Sequence, residues 1–363
     1  MTQFASIHLR VVAGLAAVFV ASSALAAPAR RVRPRPARPR VVPVAGIAPR
    51  LLGVCGQPVA GSLAFSSDGK HLVVGSGRMA SGTSPGEVRV WDVASGLVMY
   101  TLPYTSPVNA VAYAPVGDTL AASTVQSRVL VWSAAAGASL RTLAPPRTTG
   151  GLCLAFAPKG GVLATGGGDL AGGQFPGEAR LWDVKSGRLL RTLPHPHRSV
   201  VSLQFVPGSG DCLVASRGLG ADSQGSLDLW DKSLKTRRWT RAAPDLIGAA
   251  LVAGGASVAS VQSEVVGKQY LLRVRLWNGK NGTAQSGYRA PMGGWAISPS
   301  GGLLACSGVD RKSVAVRDVR TGRLLHRLEC SYPPASLSFA FSTDSRMLAA
   351  GTQDGSVLLW TLK

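Results

Sequence analysis

Apolar residues along this chain come in short runs that alternate with polar ones, and the runs are too short and too regularly interrupted for helices. The clearest are Val88-Arg89-Val90-Trp91, Val129-Leu130-Val131-Trp132, Arg180-Leu181-Trp182 and Val274-Arg275-Leu276-Trp277. Each reads as a strand with a period of two that ends on a tryptophan. The tryptophan returns as Trp91, Trp132, Trp182, Trp230, Trp277 and Trp360, with Arg317 in the same frame, at spacings of 41, 50, 48, 47, 40 and 43 residues. A strand-rich period of this length predicts propeller blades rather than a helical solenoid. Seven positions in frame predict seven blades.

Two turn signals punctuate every period. A glycine falls five residues after the frame position at Gly96, Gly137, Gly187, Gly282 and Gly322, where a tight turn needs positive φ, and Lys235 breaks the series. Upstream, Ser67-Asp68-Gly69, Pro115-Val116-Gly117, Pro158-Lys159-Gly160, Pro207-Gly208 and Pro299-Ser300-Gly301 each separate two apolar runs. Each period therefore holds four strands. The 44 glycines, 23 prolines and 6% aromatic content fit many short strands joined by turns.

Trp91-Asp92-Val93, Trp182-Asp183-Val184 and Trp230-Asp231 end the third strand of their periods. In this the chain resembles the WD40-repeat β-propeller family over residues 50–363. The resemblance implies an all-β, seven-bladed β-propeller of four-stranded antiparallel blades. The sequence departs from the family pattern in lacking the Gly-His dipeptide, and the aspartate before the tryptophan is kept only at Asp354 and Asp310. The hydrogen-bonded network common in the family is accordingly expected to be absent, and the chain is expected to be a divergent, bacterial, exported member.

The chain stops three residues after Trp360, which leaves the seventh blade without an outer strand of its own. Arg50-Leu51-Leu52 matches Arg188-Leu189-Leu190 and Arg323-Leu324-Leu325, which begin outer strands. The N-terminal strand is thus expected to complete the last blade and cover its edge.

Before that strand lie two further segments. Residues 1–26 read as a signal peptide: Arg10 is followed by an uncharged apolar stretch from Val11 to Leu25, and Ala24-Leu25-Ala26 offers a cleavage site. That stretch is shorter than the roughly 20 residues a spanning helix needs. The expected location is periplasmic or secreted. Residues 27–49 carry Arg30, Arg31, Arg33, Arg35, Arg38 and Arg40 among Pro34, Pro36, Pro39 and Pro43, and read as a solvated, disordered linker. The net charge of +21 includes eight arginines and no acid in residues 1–50. It favours an anionic surface or polymer as a partner of this arm; export disfavours nucleic acid. The cysteines Cys55, Cys153, Cys212, Cys306 and Cys330 form no CxxC and read as small buried side chains.

Chemistry-bearing motifs are weak. Gly82-Thr83-Ser84-Pro85-Gly86 matches GxSxG, but a nucleophile elbow needs a following helix and this segment is a hairpin loop. Gly75-Ser76-Gly77 and Gly166-Gly167-Gly168 likewise precede no helix. His195-Pro196-His197 has no acidic or cysteine neighbour to complete a metal site, and reads as a solvated loop. Arg89, Arg180 and Arg275, two residues before their tryptophans, should pack their stems beside the indole while the charged ends reach water or an acid. The frame tryptophans should pack between blades, and Trp239 and Trp295, off frame, read as core or partly exposed rather than as a ligand site.

Insertions at Ser76–Glu87 and Gly166–Glu178 lengthen two hairpins on the rim that also holds the connections between blades. Loops on a rigid scaffold are where binding usually resides. Candidate partner-binding residues on this rim are Arg78, Met79, Tyr104, Arg147, His195, His197, Arg198, Arg217, Arg311, Lys312 and Tyr332. The expected function is a monomeric, non-catalytic scaffold for macromolecular interaction, without cofactor or metal and with an unidentified protein partner. The alternative is a propeller enzyme of lactonase, lyase or dehydrogenase type with its site at the central channel.

Overall fold

The computed structural model describes residues 47–59, 62–78, 84–124, 128–144, 151–168, 177–195, 198–218, 224–310, 313–330 and 338–362. They form seven four-stranded antiparallel sheets. Blade 1 comprises β2 (Leu63–Phe65), β3 (His71–Gly77), β4 (Gly86–Asp92) and β5 (Val98–Tyr104). Blade 2 comprises β6 (Val108–Tyr113), β7 (Thr119–Thr124), β8 (Val129–Ser133) and β9 (Ser139–Leu143). Blade 3 has β10 (Gly151–Phe156), β11 (Val162–Gly167), β12 (Gly177–Asp183) and β13 (Leu189–His195), and blade 4 has β14 (Arg198–Phe205), β15 (Cys212–Gly218), β16 (Ser226–Trp230) and β17 (Arg237–Ala242). In blade 5 the strands are β18 (Leu246–Val252), β19 (Ser257–Val266), β20 (Gln269–Asn278) and β21 (Ala284–Pro291). Blade 6 is built from β22 (Trp295–Ile297), β23 (Leu303–Ser307), β24 (Ser313–Asp318) and β25 (Leu324–Glu329). Blade 7 runs through β26 (Ser338–Phe341), β27 (Met347–Gly351) and β28 (Ser356–Thr361), and its fourth strand is β1 (Arg50–Val54).

Burial explains the sequence pattern. The second and third strands are covered on both faces by neighbouring blades, so β12 is buried at every position but its last. The fourth strands face water, and β9 is exposed at four of its five positions. Seven apolar clusters join each blade to the next, including blade 7 to blade 1. Frame tryptophans pack on the preceding blade: Trp132 sits among Val73, Val88 and Val90, and Trp182 among Ala121, Val129 and Val131. Burying one such ring contributes several kcal/mol, and an alanine there costs about 3–5 kcal/mol.

The ring closes as the N-terminal pattern implies. β1 pairs antiparallel with β28, with Arg50 opposite Leu359 and Val54 opposite Ser356. Its register breaks between Leu51 and Gly53, and a Cβ at Gly53 would stand 2.9 Å from Trp91 Nε1 of blade 1. The Arg50 guanidinium donates to the carbonyls of Val93 and Ala94, also in blade 1. Three residues earlier, Ile47 forms a parallel bridge to Leu328 on the free edge of β25, donating to Arg327 O at 3.0 Å and accepting from Glu329 N at 3.0 Å. The segment Ile47–Val54 therefore ties together blades 6, 7 and 1.

Two expectations are refined. The indole-to-hydroxyl bond is not lost: Trp182 Nε1 donates to Thr165 Oγ1 at 3.0 Å and Trp277 Nε1 to Ser260 Oγ at 2.9 Å. A hydroxyl on the second strand is sufficient for it, with or without the rest of the network. Where Lys235 interrupts the turn glycines, positive φ moves to Leu234 (φ 54), whose side chain is wholly buried in the cluster between blades 3 and 4. That burial offsets the roughly 1–2 kcal/mol of a left-handed non-glycine residue.

Candidate functional site

The two rims are built differently. The lower rim holds the turns after the first and third strands, and side chains cap them. Asp92, Asp183 and Asp318 each come directly after the frame position and accept from the backbone N–H and hydroxyl of Ser95, Ser186 and Thr321, at 2.6–2.7 Å. These hydroxyl bonds hold all three carboxyls below the ordinary aspartate range. Aspartate followed by Ser/Thr-Gly at the third and fourth positions is a turn code that the tryptophan frame alone does not reveal. In blade 5 the same place is taken by Asn278, which accepts from the N–H of Lys280 and Asn281.

The upper rim holds the hairpins between second and third strands and the connections between blades. Arg78 lies just beyond β3 and is exposed. Tyr104 ends β5 half-buried, its ring edge-on to Trp132 with centroids 5.7 Å apart. His195 is the last residue of β13 and is buried, in place of the solvated loop position read from the sequence, because the outer strand continues as far as this residue. Arg217 is half-buried in β15, and loss of water pulls its pKa down. Arg198 begins β14. Met79, Arg147, His197, Arg311, Lys312 and Tyr332 lie outside the described residues, as does the pair Gly82-Thr83 of the GxSxG match. The last glycine of that match, Gly86, opens strand β4, so the motif leads into a strand and not into a helix.

Inner strands β2, β6, β10, β14, β18, β22 and β26 carry no His, Asp or Glu. Polar side chains on or beside them bond the next blade instead: Ser62 Oγ accepts from Val111 N at 2.6 Å, and Gln204 Oε1 from Leu251 N at 2.6 Å. No group of three or more His, Cys, Asp or Glu with metal-binding geometry occurs among the described residues. All five cysteines are free thiols. Burial pushes the Cys55 and Cys212 thiols up to about 12, so neither is a nucleophile at neutral pH.

Arginines dominate the outer part of several blades, and their partners differ. In blade 1, Arg89 Nε lies 3.1 Å from Glu87 Oε1. In blade 3, Arg180 pairs with Glu178, and both are almost fully buried. In blade 5, Arg273 and Arg289 share Glu264: Arg289 donates to both carboxylate oxygens at 2.7 and 2.9 Å, and Arg273 to one at 3.3 Å. Arg275, half-buried beside them, makes no hydrogen bond or ion pair among the described residues. Together with Gln285, Ser286 and Gly287 these arginines line an open groove of about 680 Å³. Above it, the β19–β20 hairpin of two ten-residue strands exposes Val265, Val266 and Tyr270.

Residues 322–361, which span β25 of blade 6 and the last three strands of blade 7, match the family model described as WD domain, G-beta repeat. In this stretch the chain is similar to a WD40 repeat. The match is offset from the blade by one strand, joining the outer strand of blade 6 to the inner three of blade 7. Among curated proteins, the chain is similar to the Periodic tryptophan protein 2 homolog of Dictyostelium discoideum, at 29% identity over 177 residues, covering 48% of this chain and 16% of that protein. It is also similar to Periodic tryptophan protein 2 of Arabidopsis thaliana, at 27% over 228 residues, covering 57% of this chain and 21% of that protein. Protein tipD of D. discoideum matches at 35% over 88 residues, covering 24% of this chain and 12% of that protein. The chain thus spans only about a fifth or less of the length of these relatives.

These relatives overturn the location expected from the sequence. Two of them are periodic tryptophan proteins of eukaryotes, and they contradict a periplasmic or secreted protein. The apolar N-terminal stretch that suggested export lies in residues 1–46, outside the described residues, as does most of the Arg/Pro segment 27–49. No helix among the described residues is long and apolar enough to cross a membrane.

Proposed function

We propose that this WD40-type ring is a macromolecular-interaction scaffold that binds protein partners through its rims and outer faces and catalyses no reaction. The observation that carries this reading is the distribution of polar side chains. Those of the inner strands are consumed in stitching blade to blade, whereas cations accumulate at the periphery. A catalytic centre at the channel would need convergent acids or imidazoles, and the described inner strands supply none. The upper rim, with Arg78 at its surface, is one binding region. The ring acts as a monomer, and the arginines of 27–49 add attachment to an anionic surface or polymer. With export set aside, the argument against nucleic acid falls away, so the test must include it.

Affinity capture with the full chain, at low and high salt and with and without nuclease, checks this reading. Stoichiometric capture of a defined protein that resists salt and nuclease is the expected result. Capture that vanishes under either treatment would reduce the protein to an electrostatic surface binder.

A further inference from the structure

We propose that the outer face of blade 5 is a docking site for an acidic, extended segment of a protein partner, read by Arg275 and by the free edge of β21. The inference deepens the scaffold reading and rests on it.

A comparison of equivalent positions carries it. On β4 and β12 the arginine two residues before the tryptophan has a glutamate two residues further upstream, Glu87 for Arg89 and Glu178 for Arg180. On β20 that upstream position is itself an arginine, Arg273. The outer strand changes in concert. Opposite Arg89 and Arg180 stand Thr101 and Thr192, and opposite their glutamates Pro103 and Pro194. Opposite Arg275 stands Gly287, and opposite Arg273 stands Arg289. Residues directly across an antiparallel ladder share a face, so one face of blade 5 gathers three guanidinium groups where blades 1 and 3 hold a neutral pair. Glu264 neutralises one charge and orients Arg273 and Arg289. Arg275 keeps its donors free, and with no side chain at Gly287 the groove opens directly onto it.

The chemistry of the face selects its occupant. A guanidinium fork is matched by a carboxylate with two parallel hydrogen bonds. The strand beside it, β21, is eight residues long and exposed over its first four. Such an edge pairs with an extended peptide and with nothing lacking a peptide backbone. The outer edge of the next blade already takes an extended segment by its backbone, since Ile47 bridges in parallel to Leu328 on the edge of β25. A nucleic acid would need a longer cationic track and open aromatic faces for its bases. The nearest indoles, Trp239 and Trp277, are buried, and a single exposed ring, Tyr270, gives no run of stacking faces among the described residues of this blade.

The test titrates the full chain into a fluorescein-labelled peptide of alternating Glu and Val, read by fluorescence anisotropy. Arg275→Gln should weaken binding about tenfold or more, the scale of losing one charge-assisted pair. Glu264→Gln, which releases Arg273 and Arg289, should strengthen it severalfold. Arg191→Gln, an exposed arginine on the outer strand of blade 3, should leave it unchanged. The same peptide N-methylated at alternate residues should not bind. Equal weakening by Arg191→Gln and Arg275→Gln, undiminished binding of the N-methylated peptide, or full displacement by an oligonucleotide of equal charge would each overturn the proposal. Salt-resistant capture of a protein by the Arg275→Gln chain would leave the scaffold reading standing while removing this site.

Discussion

Blades 3 and 5 have the same four strands and the same tryptophan bonded to a second-strand hydroxyl, and they part at the arginine two residues before it. Arg180 lies buried against Glu178, with Thr192 and Pro194 across the ladder. Arg275 stands beside Arg273, and across the ladder they face Gly287 and Arg289 respectively. The first arrangement is closed and neutral, the second open and cationic. Inter-blade packing dictates the indole and the apolar positions around it. At the outer end of the third strand the blades differ in burial: Glu178 and Arg180 are buried in blade 3, whereas Arg273 and Arg275 are half-buried in blade 5, where unpaired charge costs the fold less. Divergence at that position is where this ring acquires an identity of its own.

The difference can be broken at several points. The largest effect is expected from Glu178→Gln, which leaves Arg180 charged and without its counter-ion in the interior and should cost about 3–5 kcal/mol in urea unfolding. Replacing both partners together, Glu178→Leu with Arg180→Met, should recover most of that loss. A loss below about 1 kcal/mol for the single change would show that the pair is hydrated in solution.

Next come the features the two blades share. Thr165→Val in blade 3 and Ser260→Ala in blade 5 each deprive a buried indole N–H of its acceptor and should each cost about 1–3 kcal/mol. Similar losses in both would locate the difference between the blades in their charges alone. Glu264→Gln should fall below about 1 kcal/mol, because Arg273 and Arg289 reach water and need no internal partner.

The smallest effect concerns pH. The Asp183 carboxyl is held below its ordinary range by Ser186, so its contribution to the lower turn is complete above the unfolded pKa and is lost as pH falls through the folded one. Asn278 fills that place in blade 5 and does not titrate in this range. Protection of the Ser186 amide from hydrogen exchange, corrected for the intrinsic rate, should therefore persist below the ordinary aspartate range and fall on further acidification, while that of Asn281 stays level. Parallel loss at both amides would mean the whole ring is opening instead.

Most of the fold was legible because its signals are local. Period-two alternation, a positive-φ glycine five residues after five of the frame positions and an unpartnered Arg50-Leu51-Leu52 run are enough to count blades and close the ring. What escaped depends on contacts between residues remote in sequence. The hydroxyls of Thr165 and Ser260 lie 17 residues before their indoles, and any Ser or Thr there suffices, so the missing Gly-His dipeptide was a poor guide to the bond. Tyr104 and His195 carry polar groups at rim positions, yet strand pairing continues to both and turns them against the blades. The cationic face of blade 5 was half visible. Arg273 stands in the sequence where Arg89 and Arg180 have a glutamate, but only the strand register brings Arg289 across from it and Glu264 beside both.

Amide hydrogen exchange on the full chain, with and without a saturating acidic peptide, compares the two blades in one experiment. The account predicts slowed exchange along β21 and at the outer end of β20, with β13 of blade 3 unchanged. Equal slowing in β13 and β21, or slowing confined to the inner strands around the channel, would contradict it.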